Sequence, residues 1–459
     1  MSAPRLRESS APRLTDPRWR MLTIGLVMAI TLVAFESLAV ATILPRVSRD
    51  LNGISLYGWV FSAFFLGNVV GIVVSGQIAD ERGPAWPFAG GLALFATGLV
   101  VAGTAPSMGI LVLGRAIQGV GGGAIPAMAY VCISRSYPES LRPRMLAVLS
   151  SAWVIPGLAG PAVSGFVAEQ VGWRWVFLGL VPFVAAAGAI AMRPLIGVGP
   201  PSEITRTRNL LDALRVAGGS GLVLAGLSVE SWWGTPILVV IGVAVALPAL
   251  RRLLPPGTLT LEPELPSAIA LRGFVTFAFF GADSYVPLTV TDVRGTHSTF
   301  LAGAALTAAT LGWTAGSWVQ ERRFRQWGSH RLMTRGIALI VVGVVGMIVI
   351  ATTNIAPGLA MAAWGVSGFG MGLAYSAISV AVLNSAPAGR EGATSAALQL
   401  SDNLGIALGA GLGGAAVALT KSMEWNPRVG VTVAFAVALV AAVAAVLIAP
   451  RASKRTAAT

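Results

Sequence analysis

The chain reads as an all-α polytopic membrane protein, and three observations carry that reading. Of 459 residues, 55% are hydrophobic and 11% charged, where soluble domains carry about a quarter charged. The apolar residues fall in runs of about twenty, the length a helix needs to cross a hydrocarbon layer of about 30 Å. Basic residues are spread unevenly over the connecting segments, as the loops of membrane proteins are. No large soluble domain fits between the runs, because the longest polar stretches are the N-terminal tail up to Arg20 and loops of about fifteen residues.

Taken in order, the runs predict fourteen spans. The first, 21–44, follows a basic tail (1–20) bearing Arg5, Arg7, Arg13, Arg18 and Arg20. It is too long for a signal-peptide core and lacks a small-residue cleavage site, so it reads as an uncleaved span. Spans 57–78, 86–104, 109–131, 144–168 and 175–193 complete a first group of six over 21–193. A linker, 194–266, carries two Gly-rich runs at 211–229 and 235–252, separated by Glu230-Ser231-Trp232-Trp233-Gly234-Thr235. This pair is the weakest signal of the fourteen, and without it twelve spans would remain. Spans 267–291, 299–319, 333–353, 357–385, 393–419 and 428–449 form a second group over 267–450, followed by a short tail, 451–459.

Charge tests this order independently. With the N-terminus inside, twenty-five of the 32 basic residues fall on inside segments, Arg272 among them. Six fall outside (Arg46, Arg49, Arg174, Arg294, Lys421 and Arg428), and Arg115 lies within a span. Both termini are therefore expected in the cytoplasm. The pI near 11.2 follows from this topology and from attraction to anionic lipid, and a nucleic-acid partner is the poorer reading.

The most informative residue is Glu36, in the middle of the first run. A carboxylate at bilayer depth is expensive, and such groups tend to line substrate or proton pathways. Asp283, in Phe279-Phe280-Gly281-Ala282-Asp283-Ser284-Tyr285, is a second deep acid whose aromatic neighbours suit a lipophilic cation. Asp402, beside Gln399 and Asn403, reads equally well as a hydrated packing residue. Trp59, Phe61, Phe64, Phe65, Trp153, Trp313 and Tyr375 are candidates for a cavity lining, and Trp173 and Trp175 for interfacial anchors. His297 and His330 both fall in expected loops, Cys132 stands alone, and no Gly-Lys-Ser or Gly-Lys-Thr phosphate loop occurs. Zinc ligation, disulfides and direct ATP drive are unsupported.

The two groups of six also look duplicated. Glu36-Ser37 precedes Pro45 by nine residues, as Asp283-Ser284 precedes Asp292. Gly76-x-x-x-Asp80-Glu81-Arg82 has a counterpart in Gly316-x-x-x-Gln320-Glu321-Arg322, and Arg115-x-x-x-Gly119-x-Gly121-x-Gly123 aligns with Trp364-x-x-x-Gly368-x-Gly370-x-Gly372. Repeats of this kind, with a site near the midplane between them, are the architecture of alternating-access carriers.

Several motifs resemble those of the major facilitator superfamily, and within it the fourteen-span drug:proton antiporters. Gly76-Gln77-Ile78-Ala79-Asp80-Glu81-Arg82-Gly83 is similar to the loop between spans 2 and 3, although Pro84, Ala85 and Trp86 stand where that loop ends in a basic pair. The resemblance implies that its glycines allow close helix approach and that Asp80 latches a helix N-terminus or an arginine across the half-to-half interface. Leu111 to Ala124, with Arg115 and Gly119, looks like the span-4 signature, whose arginine lies near the span-1 acid; snorkelling of Arg115 to the outer interface is the alternative. Pro156 to Gly165, with Gly160 and Pro161, resembles the span-5 antiporter signature, with Pro156 and Ser164 replacing two of its glycines. Glu36 to Leu51 resembles the end of span 1 in fourteen-span exporters, with glutamate where that pattern has aspartate.

The resemblance implies a major facilitator fold, two six-helix bundles plus two inserted helices, in a bacterial cytoplasmic membrane. It implies a monomeric, proton-coupled exporter of small lipophilic or cationic compounds, with no cofactor and no enzymatic activity. Glu36, Arg115 and Asp283 are the expected proton-coupling residues, and Glu36, Asp283, Tyr285, Trp153, Trp313 and Tyr375 the expected substrate contacts. Gly76, Asp80, Arg82, Gly83, Gly119, Gly160, Pro161 and Gly165 carry the conformational motifs. Two rivals stay open: a narrow-substrate exporter of a metabolite, siderophore, lipid or self-made antibiotic, and a sensor or lipid-binding scaffold without turnover.

Overall fold

The structure, a computed structural model, describes residues 14, 16–138, 140–199, 209–228, 233–387 and 391–452. Most of the expected N-terminal tail, nearly all of 451–459 and Glu230-Ser231-Trp232 lie outside these residues.

Every regular element among the described residues is helical. The first group comprises α1 (Pro17–Asp50), α2 (Tyr57–Arg82), α3 (Ala85–Gly103), α4 (Met108–Ser136), α5 (Arg142–Ser151), α6 (Val154–Gln170), α7 (Arg174–Leu178) and α8 (Val181–Ile196). The linker forms α9 (Leu210–Ser228) and α10 (Gly234–Leu253). The second group comprises α11 (Leu265–Asp283), α12 (Val286–Leu288), α13 (Thr299–Thr352), α14 (Leu359–Asn384), α15 (Glu391–Ser422) and α16 (Pro427–Ile448). Local chemistry fixes several ends. Pro17 and Pro427 supply preset φ angles in the first turns of α1 and α16. Ser298 accepts a hydrogen bond from the Leu301 amide at 3.1 Å to start α13. Gly83 ends α2 at φ 82°, a backbone region that an L side chain rarely enters.

Twelve helices among the described residues are long and apolar enough to cross a membrane by length and composition. The two expected spans not among them are 144–168 and 299–319. The first is interrupted at Ala152 and Trp153, which leaves pieces of 10 and 17 residues. The second shares the 54-residue α13 with expected span 333–353, and the part of α13 that qualifies is Gln326–Thr352. The expected loop between those two spans is therefore helical, broken only at Gly328 (φ 67°, ψ 166°). His330 accordingly sits in a helix and not in a loop. The run 267–291 also differs, since α11 stops at Asp283 and the chain continues as α12 and a π-helical turn over Thr289–Val293.

Helices of each group pack mainly on one another: α2 and α3 on α4, and α1 on α6 and α8, in the first; α11 on α15 and α16, and α13 on α14, in the second. The two groups meet along α2 with α15 and α6 with α13, and α9 lies across the first of these seams. The opposite side of α10 is largely exposed and apolar, as a lipid-facing helix requires. The seams are close approaches that small residues permit. A Cβ on Gly58 would lie 2.7 Å from the Gly414 Cα, and one on Gly303 would lie 3.2 Å from the Pro161 ring.

Contacts between the groups cluster toward the end of the bundle where α1 finishes. There Arg49 pairs with Asp292, the Tyr57 and Tyr285 rings lie 5.6 Å apart, and Ser62 donates to the Ala407 carbonyl at 2.7 Å. Nearer the other end, Asp80 pairs within its own group, with Arg135 of α4 at 3.2 Å. Among the described residues Asp80 pairs with no residue of the second group, in contrast to the expected latch across the interface. Arg135, on the neighbouring helix α4, is the cation that holds it. Gly76 has no heavy atom within 4 Å of an added Cβ, so it is not the close-approach glycine expected of the motif, and Arg82 is exposed.

Candidate functional site

Two acid-centred clusters occupy corresponding places in the two groups. In the first, Glu36 on α1 and Arg115 on α4 form an ion pair, each only 1% exposed. Gln118, one helical turn beyond Arg115, donates to Glu36 Oε1 at 3.2 Å and accepts from Arg115 at 3.1 Å. The guanidinium also donates to the Val60 carbonyl at 3.2 Å and lies 4.2 Å from the Phe64 ring centroid. Arg115 therefore turns inward and does not snorkel. Gly119 makes this approach possible, because its missing side chain lets α4 lie against the Phe64 backbone of α2. Glu36 Oε2 is buried without a hydrogen-bond partner among the described residues.

In the second cluster, Asp283 ends α11 and accepts a hydrogen bond from Trp364 Nε1 of α14 at 2.6 Å. The alignment read from the sequence pairs Glu36 with Asp283 and Arg115 with Trp364, and these are the residues that touch. The repeat has kept the geometry and exchanged a cationic donor for a neutral one. Among the described residues Asp283 has no ion-pair partner, and unlike Glu36 it is half-buried. Trp364 stacks on Phe279 (centroids 5.2 Å, 12° between planes). Trp313 packs edge-on to Phe279 at 5.7 Å, lies 5.9 Å from Phe280, and meets Tyr375 at 5.1 Å. Phe280, Trp313 and Tyr375 are half-buried like Asp283, so the aromatic run leaves partly accessible faces leading away from the acid.

The far end of that run holds a cluster that sequence reasoning missed. Arg272, 3% exposed on α11, grips Asp402 of α15 with two donors, at 2.5 and 3.1 Å. It also donates to the Tyr375 carbonyl at 2.8 Å and to Ser379 Oγ at 2.9 Å, while the Tyr375 hydroxyl donates to Asp402 at 3.1 Å. Asp402 is therefore neither a loosely hydrated packing residue nor free, and Arg272 belongs to the helix interior and not to an inside segment. The available signal was a helical one: an arginine at the sixth position of the apolar run 267–291 needs a buried partner.

Other expected site residues lie elsewhere. Trp153 sits at the break between α5 and α6 and is 46% exposed. Tyr285 is fully buried, with its hydroxyl donating to the Ala410 carbonyl, and it closes the α2–α15 seam instead of lining an accessible wall. Trp173 is buried too: its indole donates at 3.0 Å to the exposed Asp50 at the end of α1, so a contact within the protein takes the place of the interfacial anchoring expected of it, whereas Trp175 is exposed. Gly160 meets Phe35 and Leu38 only at ordinary contact distance, and Gly165 meets Thr299 likewise, so neither is a tight crossing point. Pro161 does press on Gly303.

Comparison with known proteins agrees with this architecture. Residues 25–410 match the family model of the Major Facilitator Superfamily. A protein of Mycobacterium tuberculosis named a probable multidrug-efflux transporter is 29% identical over 451 residues, covering 93% of this chain and 94% of its own. The multidrug transporter protein MdtP of Bacillus subtilis is 23% identical over 286 residues, 60% of this chain and 53% of its own. Among solved structures, an auto-inhibited peptide transporter of the POT family superposes with a TM-score of 0.71 at 16% identity, covering 96% of this chain and 98% of that one. That likeness concerns fold alone.

Proposed function

We propose that this chain, which belongs to the Major Facilitator Superfamily, is a proton-coupled exporter of small lipophilic or cationic compounds working by alternating access. The observation that carries the reading is Asp283, a half-buried carboxylate held by a neutral indole at the end of an aromatic wall. Such a site attracts a lipophilic cation through ring faces and charge together. It equally takes a proton, because an unneutralised carboxylate is costly to carry through an occluded state. Glu36, with Arg115, is the corresponding acid of the first bundle, and the drug-efflux names of its relatives support the substrate class.

On this reading the chain spans a bacterial cytoplasmic membrane fourteen times, with both termini inside. Residues 21–193 and 267–450 form the two bundles, and 194–266 supplies the inserted pair. Expected span 144–168 then crosses as the broken α5 and α6, and 299–319 as the first part of α13. The seam bearing Arg49 and Asp292 lies on the outer face, so this conformation is closed outward. A monomer suffices, since each cluster is built from a single chain.

The test is a vesicle assay with the purified protein. A preformed pH gradient should dissipate when chemically diverse toxic cations are added, and less so with Asp283→Asn. If no compound ever discharges the gradient, the antiport reading is wrong.

A further inference from the structure

We propose that Asp283 is the one exchangeable charge in the transport path, so that each cycle trades one proton for one monovalent aromatic cation and moves no net charge across the membrane. This rests on the proton-coupled reading above and specifies its substrate and stoichiometry. Three carboxylates lie deep within the described helices, and their partners divide them sharply. Glu36 is closed off with Arg115, both 1% exposed, and Gln118 takes up further donor and acceptor capacity. Asp402 is gripped by two donors of Arg272 and by the Tyr375 hydroxyl. Each of these two clusters is neutral as a unit, and opening either would strand a guanidinium in the helix interior. Asp283 alone faces a neutral donor, at 2.6 Å; it is half-buried like Asp402, but no guanidinium holds it among the described residues.

The surroundings of Asp283 add no competing charge. Toward the Asp50 end stand the phenols of Tyr57 and Tyr285, the latter donating to the Ala410 carbonyl, and beyond them the neutral pair of Arg49 and Asp292. In the other direction, eleven residues along α11 and about 16 Å away at 1.5 Å per residue, lies the self-neutralised pair of Arg272 and Asp402. Helix α14 carries no charged residue, and, Asp402 apart, the charges of α13, α15 and α16, such as Arg335, Lys421 and Arg428, sit near helix ends or the Gly328 break. A cation with an aromatic body can place its charge at Asp283 and its rings along Trp364, Phe279 and Trp313. A dication would leave its second charge without a free carboxylate.

The experiment uses the full chain in proteoliposomes, with ethidium as a monovalent probe and propidium, which shares its ring system, as a divalent one. Under a fixed pH gradient, with the potential set by potassium and valinomycin, the steady-state ethidium gradient should be the same at 0 and 100 mV, and propidium should not move. An exchange carrying one net charge would shift the ethidium gradient roughly fiftyfold at 100 mV, and that result overturns the proposal. Propidium exchange at a rate like that of ethidium overturns it as well. Asp283→Asn should lose ethidium binding; unchanged affinity sinks the assignment. The double variant Glu36→Gln with Arg115→Gln removes a neutral pair, and its exchange, whatever the rate, should stay proton-coupled and insensitive to potential. Ethidium binding without coupling in that variant would move the exchange to Glu36. If the double variant does not fold, the potential measurement on the parent chain decides. Coupled but potential-sensitive exchange refutes only this inference, whereas a parent chain that neither binds cations nor moves protons refutes the antiporter reading itself.

Discussion

Neutralising Asp402 and neutralising Asp283 should have opposite consequences, although both are aspartates within the second bundle. Asp402→Asn leaves Arg272, 3% exposed, without its counter-ion. Losing one partner of a buried pair costs about 3–5 kcal/mol. The Tyr375 carbonyl and Ser379, at 2.8 and 2.9 Å, still receive the guanidinium, and the new amide oxygen keeps one acceptor in place, which holds the expected cost to the lower end, about 3 kcal/mol. Asp283→Asn strands no cation, and its amide oxygen can still accept from Trp364 Nε1. Its stability should change by less than about 1 kcal/mol. The assay compares both variants with the parent chain in one detergent, by rate of thermal unfolding and by substrate-driven discharge of a pH gradient. Asp402→Asn should unfold much faster, while Asp283→Asn should unfold like the parent and lose transport. Equal destabilisation of the two variants, or an unaffected Asp402→Asn, would refute the division into a structural and a working acid.

Two further outcomes follow from the same contacts. Trp364→Arg would place in the second bundle the cation that Arg115 provides in the first; it should neutralise Asp283 and abolish cation export while the protein stays folded, read by transport alongside size-exclusion behaviour. Arg49→Cys with Asp292→Cys joins the two groups across the seam; a thiol-linking reagent should arrest transport and a reductant restore it, whereas loss of the exposed ion pair alone should cost under about 1 kcal/mol.

How much of this was legible in the chain varied by kind of feature. Glu36 and Arg115 announced themselves because an ionised group inside an apolar run is costly enough to stand out in one dimension. The duplication also showed, since spacing survives divergence, and it aligned Asp283 with Glu36 and Trp364 with Arg115 before any contact was known. Arg272 lies near the start of its apolar run, where a charge can reach water, and Asp402 stands beside Gln399 and Asn403, which suit a hydrated patch; only the fold brings the two together. The motif predicts a partner for Asp80 in the other half, whereas among the described residues Arg135 on the neighbouring helix holds it. Trp173 shows the same limit: a tryptophan at a span end suggests the interface until Asp50 takes its indole.

By itself the sequence determined the membrane class, the order of the apolar runs and the positions of the deep acids, because hydrophobic length and isolated charge are properties of short segments. Only the tertiary structure decided which acids are neutralised and which one is left open. That depends on whether a cation some seventy-nine or 130 residues away lands within hydrogen-bond reach, and helix packing, not local composition, controls that distance. Glu36 and Asp402 found their arginines, and Asp283 found an indole.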